Sequence, residues 1–286
     1  MNPFDLQVVD APPGEHRESA RWNPRLARFQ WVDIAQGEVF ALDPVTGDLW
    51  THRLEPPVTA ILPGRARDVI ARRDRLDVLD WQTGSTRTIA SLPVPSTSRL
   101  NDGAGDPHGT IWIGSMAVDG SDGGGQLYRV WPGGRFENLI DVVGISNGIA
   151  WSQDARTAWY VDSLTGRVDT LSLDDGGSIV SRMPHADLLD EGTPDGLTID
   201  ADGYLWVALW DGARVVRLDP GGTIAERVAV PAPRPTSVAL GGDGLMLVTS
   251  ARLGLSPDEL EQFPLSGEVF LGRTSAVAAP VREHDF

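Results

Sequence analysis

The stretch GISNGIAW, residues 144–151, holds two kinds of chemistry side by side. Gly144, Ser146 and Gly148 spell G-x-S-x-G, the spacing of the serine-hydrolase nucleophile elbow, where a sharp strand-to-helix turn presents a hydroxyl for attack. Asn147 offers a neutral carboxamide oxygen, a hard donor for a divalent cation. The residues that follow favour Asn147. IAWSQDARTAWYVD reads as strand, polar turn and strand, with no helix start, and no oxyanion-loop motif lies upstream. Ser146 is expected to be a turn hydroxyl.

Asn147 has counterparts along the chain. TPDGLTIDADGYLWVALW (193–210) repeats its surroundings around Asp195, and LNDGAGDPHGTIWIGS (100–115) repeats them around Asn101, Asp102 and Gly103. An earlier unit, RESARW, supplies Glu18. Glu18 and Asn147 precede Trp31 and Tyr160 by 13 residues, and Asn101 and Asp195 precede Trp112 and Trp206 by 11. A single Asn-Gly or Asp-Gly pair would mark a β-turn. Three in phase, with an in-phase Glu, predict that Glu18, Asn101, Asn147 and Asp195 converge. Two carboxylates and two amides suit Ca²⁺, Mg²⁺ or Mn²⁺, and Zn²⁺ less specifically. Buried together without a cation, Glu18 and Asp195 would force one of the pair to protonate. The five His residues (16, 52, 108, 185, 284) show no H-x-x-x-H spacing; His16 and His108 flank the motif segments. DADG at 200–203 echoes an EF-hand start but lacks the downstream Glu, and is read as a hairpin turn.

The elements that must position these residues form a repeat. Each unit has a short apolar strand, a polar stretch with Gly, a second strand of period-2 alternation and a Gly/Asp/Pro turn. Taking Trp31, Val69, Trp112, Tyr160, Trp206 and Leu247 as equivalent, the gaps are 38, 43, 48, 46 and 41 residues. That spacing suits four-stranded blades and predicts an all-β, six-bladed β-propeller with a central metal site. Residues 1–286 are read as a single domain, since no linker-like shift in composition interrupts them. FDLQVVDAP near the start alternates like an outer strand and is expected to pair near SGEVFLGR, closing the ring. The inner ends of the strands would then place the four site residues in loops facing the channel. The repeated Trp residues are expected to pack between blades.

Composition narrows the function. The net charge of −16 repels phosphate backbones and anionic bilayers, so neither nucleic acid nor membrane is an expected partner. All 24 basic residues are Arg, which excludes a Schiff-base or P-loop Lys. With no Cys there is no thiolate nucleophile, disulfide or Cys-based zinc site. No signal-peptide pattern and no apolar run of bilayer length is visible, so a cytoplasmic location is expected.

Several ordered stretches resemble the SMP-30/gluconolactonase family of regucalcin-like sugar lactonases: RESARW, RLNDG…DPHGTIWIGSM, ISNGIAWS, WYVDSLTGRVD, TPDGLTIDADGYLWVALWDGARVVRLDP and PTSVALGG…LVTSARLGL. The likeness runs from about Glu15 to about Phe270. It implies a six-bladed propeller with one divalent cation, Ca²⁺ first and Zn²⁺, Mg²⁺ or Mn²⁺ as alternatives. It implies Glu18, Asn147 and Asp195 as metal ligands, Asp195 also as general acid/base, and Arg99 and Asn101 as substrate contacts. The implied activity is hydrolysis of sugar lactones such as gluconolactone by a monomer or small homo-oligomer. The competing readings are a calcium-dependent organophosphate or aryl esterase and a non-catalytic calcium- or ligand-binding propeller. An acidic substrate contact of the family aligns near Ser121, with Asp119 and Asp122 as neighbouring substitutes.

Overall fold

The computed structural model describes residues 5–286. It is a six-bladed β-propeller, each blade a four-stranded antiparallel sheet. Blades 1 to 5 run in sequence order from the inner strand outward. They comprise Arg17–Asn23 to Leu49–Arg53, Ala60–Leu62 to Thr86–Ser91, Ser98–Gly105 to Phe136–Val143, Ser146–Trp151 to Ile179–Asp187, and Thr193–Ile199 to Ile224–Ala229. Blade 6 has Pro235–Gly241, Leu245–Ser250 and Val269–Arg273, and takes its outer strand, Gln7–Val8, from the start of the chain. Gln7 pairs with Leu271 and Val8 with Phe270, as the alternation of FDLQVVDAP anticipates; Phe4 of that stretch lies outside the described residues.

The six residues equated in the repeat all stand on second strands, and all are fully buried. Trp31, Trp112 and Trp206 of the repeat fill seams between blades. Trp112 of blade 3 packs edge-on against Trp151 of blade 4, their rings 5.5 Å apart. Trp206 of blade 5 joins the core shared with Val238 and Val248 of blade 6. The indole N–H groups of Trp112 and Trp206 donate to Asp106 and Asp200, which brace the hairpin turns between first and second strands. DADG is therefore a hairpin turn, as read. The helices described are the single-turn segment Pro257–Gln262 and two 3₁₀ turns, and none is long and apolar enough to cross a membrane.

The segment after the last strand crosses the ring at the ends of the inner strands remote from the Asn/Asp positions. Val277 O accepts from Ala201 N in blade 5, and the Arg282 guanidinium donates to Ser152 O and Gln153 O in blade 4. Asp285 N donates to Gly109 O in blade 3. His284 is fully buried in blade 2, its Nε2 3.0 Å from Leu62 O. Residues 278–282 cover a cavity of about 100 Å³ lined by Arg21, Ala104, Ala150, Thr198 and Ala239. The channel is thus closed at one end by the chain itself.

Candidate functional site

The Asn/Asp positions lie within the inner strands rather than in the loops before them. At each, the pairing with the second strand skips residues: between Leu100 and Gly103, Ser146 and Ile149, and Pro194 and Leu197. A bulge leaves its extra residues unpaired and re-aims their side chains, which lets Asn101, Asn147 and Asp195 turn to the axis. The Gly that follows is needed for close approach, not for a turn. A Cβ on Gly148 would sit 2.3 Å from Leu197 N of the next blade, and one on Gly196 would meet Ser237 at 2.6–2.8 Å.

Glu18 breaks the phase. The corresponding skip in blade 1 falls between Glu18 and Arg21, so Ser19 occupies the register of Asn101, Asn147 and Asp195. Ser19 adopts a φ of 56°, sends its hydroxyl sideways to Ile61 of blade 2, and donates its N–H to Glu18 Oε2 at 2.6 Å. This local left-handed residue holds the Glu18 carboxylate in place one position early.

The structure brings the expected residues together. Glu18 and Asp195 are buried and within hydrogen-bond reach of each other. Asn101 Nδ2 donates to Asn147 Oδ1 at 2.9 Å, and Arg99 Nη1 donates to Asn101 Oδ1. Burial, then the charge of Asp102, pushes Glu18 up to about 8; burial, then the charge of Glu18, pushes Asp195 well above the carboxylate range. Two buried carboxylates this close repel when both are ionised, which favours a proton on the pair. Asp195 Oδ1 has no hydrogen-bond partner. An unpartnered buried carboxylate oxygen beside a second carboxylate fits a hard divalent cation, whose charge would relieve their repulsion. Among the described residues no three His, Cys, Asp or Glu side chains gather in a metal-holding group; the candidate set is two carboxylates and an amide.

Burial lowers the Arg99 guanidinium to about 10, while Glu18 and Asp195 hold it up, so it remains a cation. His16 stands at the same end, its ring 5.7 Å from that of Trp210. Burial, and then the Arg99 charge, lowers it to about 3, so it is neutral at pH 7. His108 is in the turn at the opposite end of its strand and takes no part. Ser121, Asp119 and Asp122 are exposed, and Asp119 is occupied in accepting the Ser121 N–H. Ser146 is a buried strand residue, not a turn hydroxyl; its Oγ accepts from Tyr160 at 2.7 Å. With a strand on its C-terminal side and a phenol as its partner, it is no nucleophile elbow.

Sequence reasoning missed two partners. The Arg21 guanidinium bonds Asp102 Oδ1 at 2.6 Å and Gly103 O at 2.8 Å, joining blade 1 to blade 3 across the channel. Ser163, in the turn after the second strand of blade 4, accepts from Asn147 Nδ2 at 2.8 Å. Only the Asp-Ser pair in WYVDSLTG hinted at the second, and nothing set that Ser apart from others.

A sequence profile of the SMP-30/gluconolactonase/LRE-like region matches residues 17–252, from the first inner strand to beyond the second strand of blade 6. The chain belongs to the SMP-30/gluconolactonase/LRE-like family. Regucalcin of Xenopus laevis is 34% identical over 282 residues, covering 94% of each chain. The 6-deoxy-6-sulfogluconolactonase of Pseudomonas putida is 33% identical over 280 residues, covering 94% of this chain and 95% of its own. Among solved structures, a calcium-binding protein, regucalcin, from Agrobacterium tumefaciens superposes with a TM-score of 0.93 at 28% identity, covering 99% and 98% of the two chains. These SMP-30/gluconolactonase/LRE-like relatives span the whole propeller, so the family likeness includes the inner strands that carry the site.

Proposed function

We propose that this protein is a divalent-cation-dependent hydrolase that opens sugar lactones of the aldonolactone class, gluconolactone among them. The observation that carries this reading is the buried Glu18–Asp195 pair with an unpartnered Asp195 Oδ1, beside Asn147 and Arg99. The lactonase named among its relatives supports the substrate class.

Glu18, Asn147 and Asp195 would hold the cation, Ca²⁺ being the first choice for an all-oxygen set and Zn²⁺, Mg²⁺ or Mn²⁺ the alternatives. When bound, it polarises the lactone carbonyl and stabilises the oxyanion that forms. Asp195 takes a proton from the attacking water and returns one to the ring oxygen as that leaves as a hydroxyl. Arg99 commits Nη1 to Leu100 O and Asn101 Oδ1, and turns the rest of its fork to substrate oxygens. Asn101 Oδ1 keeps a second lone pair for a substrate hydroxyl. A neutral lactone meets no repulsion from a surface of net charge −16.

The test is proton release from a panel of aldonolactones, including glucono-δ-lactone, by chelator-stripped protein with each cation added back. Cation-restored turnover is expected. Protein that binds a cation yet opens no lactone would overturn the reading, and turnover of aryl esters or organophosphates instead would put the esterase in its place.

A further inference from the structure

A carboxamide is nearly symmetric in shape but not in chemistry. A cation can take only the oxygen of Asn147, so something must fix which end faces the carboxylates. The partners settle it through a chain of hydrogen bonds whose two ends cannot reverse. Arg99, which can only donate, gives an N–H to Asn101 Oδ1. Asn101 must then present its Nδ2, which donates to Ser146 O and to Asn147 Oδ1, each at 2.9 Å. Asn147 in turn presents its Nδ2 to Ser163 Oγ at 2.8 Å. Ser163 donates its own hydroxyl hydrogen bond to Pro194 O at 2.7 Å. That carbonyl can only accept, and it belongs to the residue before Asp195. A flipped Asn147 would set NH₂ against the NH₂ of Asn101.

The chain crosses three blades: Arg99 and Asn101 in blade 3, Asn147 and Ser163 in blade 4, Pro194 in blade 5. Ser163 is buried, and its hydroxyl spends both its donor and an acceptor on this path. No other side chain is hydrogen-bonded to Asn147 Nδ2 among the contacts described.

We infer that Ser163 is a positioning residue of the cation site: it holds the Asn147 carboxamide with Oδ1 toward Glu18 and Asp195, and ties it to the backbone that carries Asp195. The inference rests on Asn147 being a ligand, as in the proposed function. It extends to Ser163 a role assigned from geometry alone.

The test is a calorimetric titration of chelator-stripped full-length protein with CaCl₂ alone, or with the chloride of whichever cation the unsubstituted protein binds best. Four proteins are compared: unsubstituted, Ser163→Ala, Asn147→Asp, and the double variant. Loss of such an outer partner typically weakens a metal site by roughly 10–100-fold, and Ser163→Ala should do so. A carboxylate presents oxygen whichever way it faces. In the Asn147→Asp background the same Ser163→Ala change should therefore alter affinity by less than about threefold, close to the additivity limit. Equal losses in both backgrounds would mean a merely structural Ser163 and overturn the inference, as would no loss in either. Should Ser163→Ala not fold, Ser163→Cys, of similar shape but a poor hydrogen-bond partner, replaces it. An Asn147→Ala protein that binds the cation as tightly as the unsubstituted one would overturn instead the ligand assignment on which the inference stands.

Discussion

Arg21 reaches Asp102 across the channel at 2.6 Å, one residue pair joining blades 1 and 3 close enough for both charges to act on Glu18. The guanidinium is a built-in cation. It opposes the charge of Asp102, which raises both Glu18 and Asp195, and lowers Glu18 in its own right. Asp102 is buried and its Oδ2 has no other partner. Arg21→Ala should therefore destabilise the fold by about 3–5 kcal/mol, the usual effect of stripping one partner from a buried ion pair. Arg21→Met combined with Asp102→Leu should recover much of that. Urea denaturation midpoints measure both; an Arg21→Ala protein as stable as the parent would show that the pair is not a structural brace.

Asp195→Asn should leave the propeller folded and reduce lactone hydrolysis by at least ~10²-fold, the scale of a lost acid/base. Because it removes one of two mutually repelling carboxyls, the cation-free variant should melt no lower than the parent. Near-normal turnover would take the acid/base role away from Asp195.

Saturating cation should raise the melting temperature of the stripped protein. Ligand at 100 times its Kd adds about 2.7 kcal/mol to the folded state. The same addition to Asp195→Asn should raise it far less. Equal shifts in the two proteins would place cation binding elsewhere on the molecule.

Ser146→Ala should keep lactone hydrolysis within a few-fold of the parent, since among the described residues the hydroxyl is hydrogen-bonded to Tyr160 and not to a site residue. Leaving the buried Tyr160 O–H without its acceptor should lower stability by about 1–3 kcal/mol. An inactive but folded Ser146→Ala protein would restore the serine as nucleophile.

His284 is lowered from its ordinary 6.5, burial being the largest cause. The unfolded chain then binds the proton more readily than the folded one. The stability this His contributes is complete above about pH 6.5 and is lost as the pH falls below it. Melting temperatures measured from pH 8 to pH 5 should fall more steeply for the parent than for His284→Gln, whose amide can still donate to Leu62 O. Parallel curves would mean that the tail does not open to let His284 take a proton.

The ring and its site were legible in the sequence for different reasons. Trp31, Val69, Trp112, Tyr160, Trp206 and Leu247 announce the second strands because each is fully buried, on strands whose alternation is plain in the sequence. Asn147 and Asp195 stand out because each directly precedes a Gly against which the next blade packs, and Asn101 because it sits at the same point of its own bulge. The spacing that put Glu18 in phase with them concealed a one-residue offset, since a bulge changes register without changing the alternation on either side. The tail TSAVAAPVREHDF carries no period and makes a few scattered contacts with each of four blades, so nothing local foretold where it lies. Ser163 acts through bonds to residues of two blades, and such partnerships leave no spacing to read.

Both fastenings of the ring use residues made late. Gln7 and Val8 wait for Leu271 and Phe270, and the far ends of blades 2 to 5 wait for residues 277–285. During synthesis five blades can therefore form as an open arc, each stacked on the one before, while the circle stays incomplete until the chain has passed residue 270. The juxtaposition of Glu18 in blade 1 with Asp195 in blade 5, across the sixth blade that closes the ring, is in consequence among the last features to be fixed.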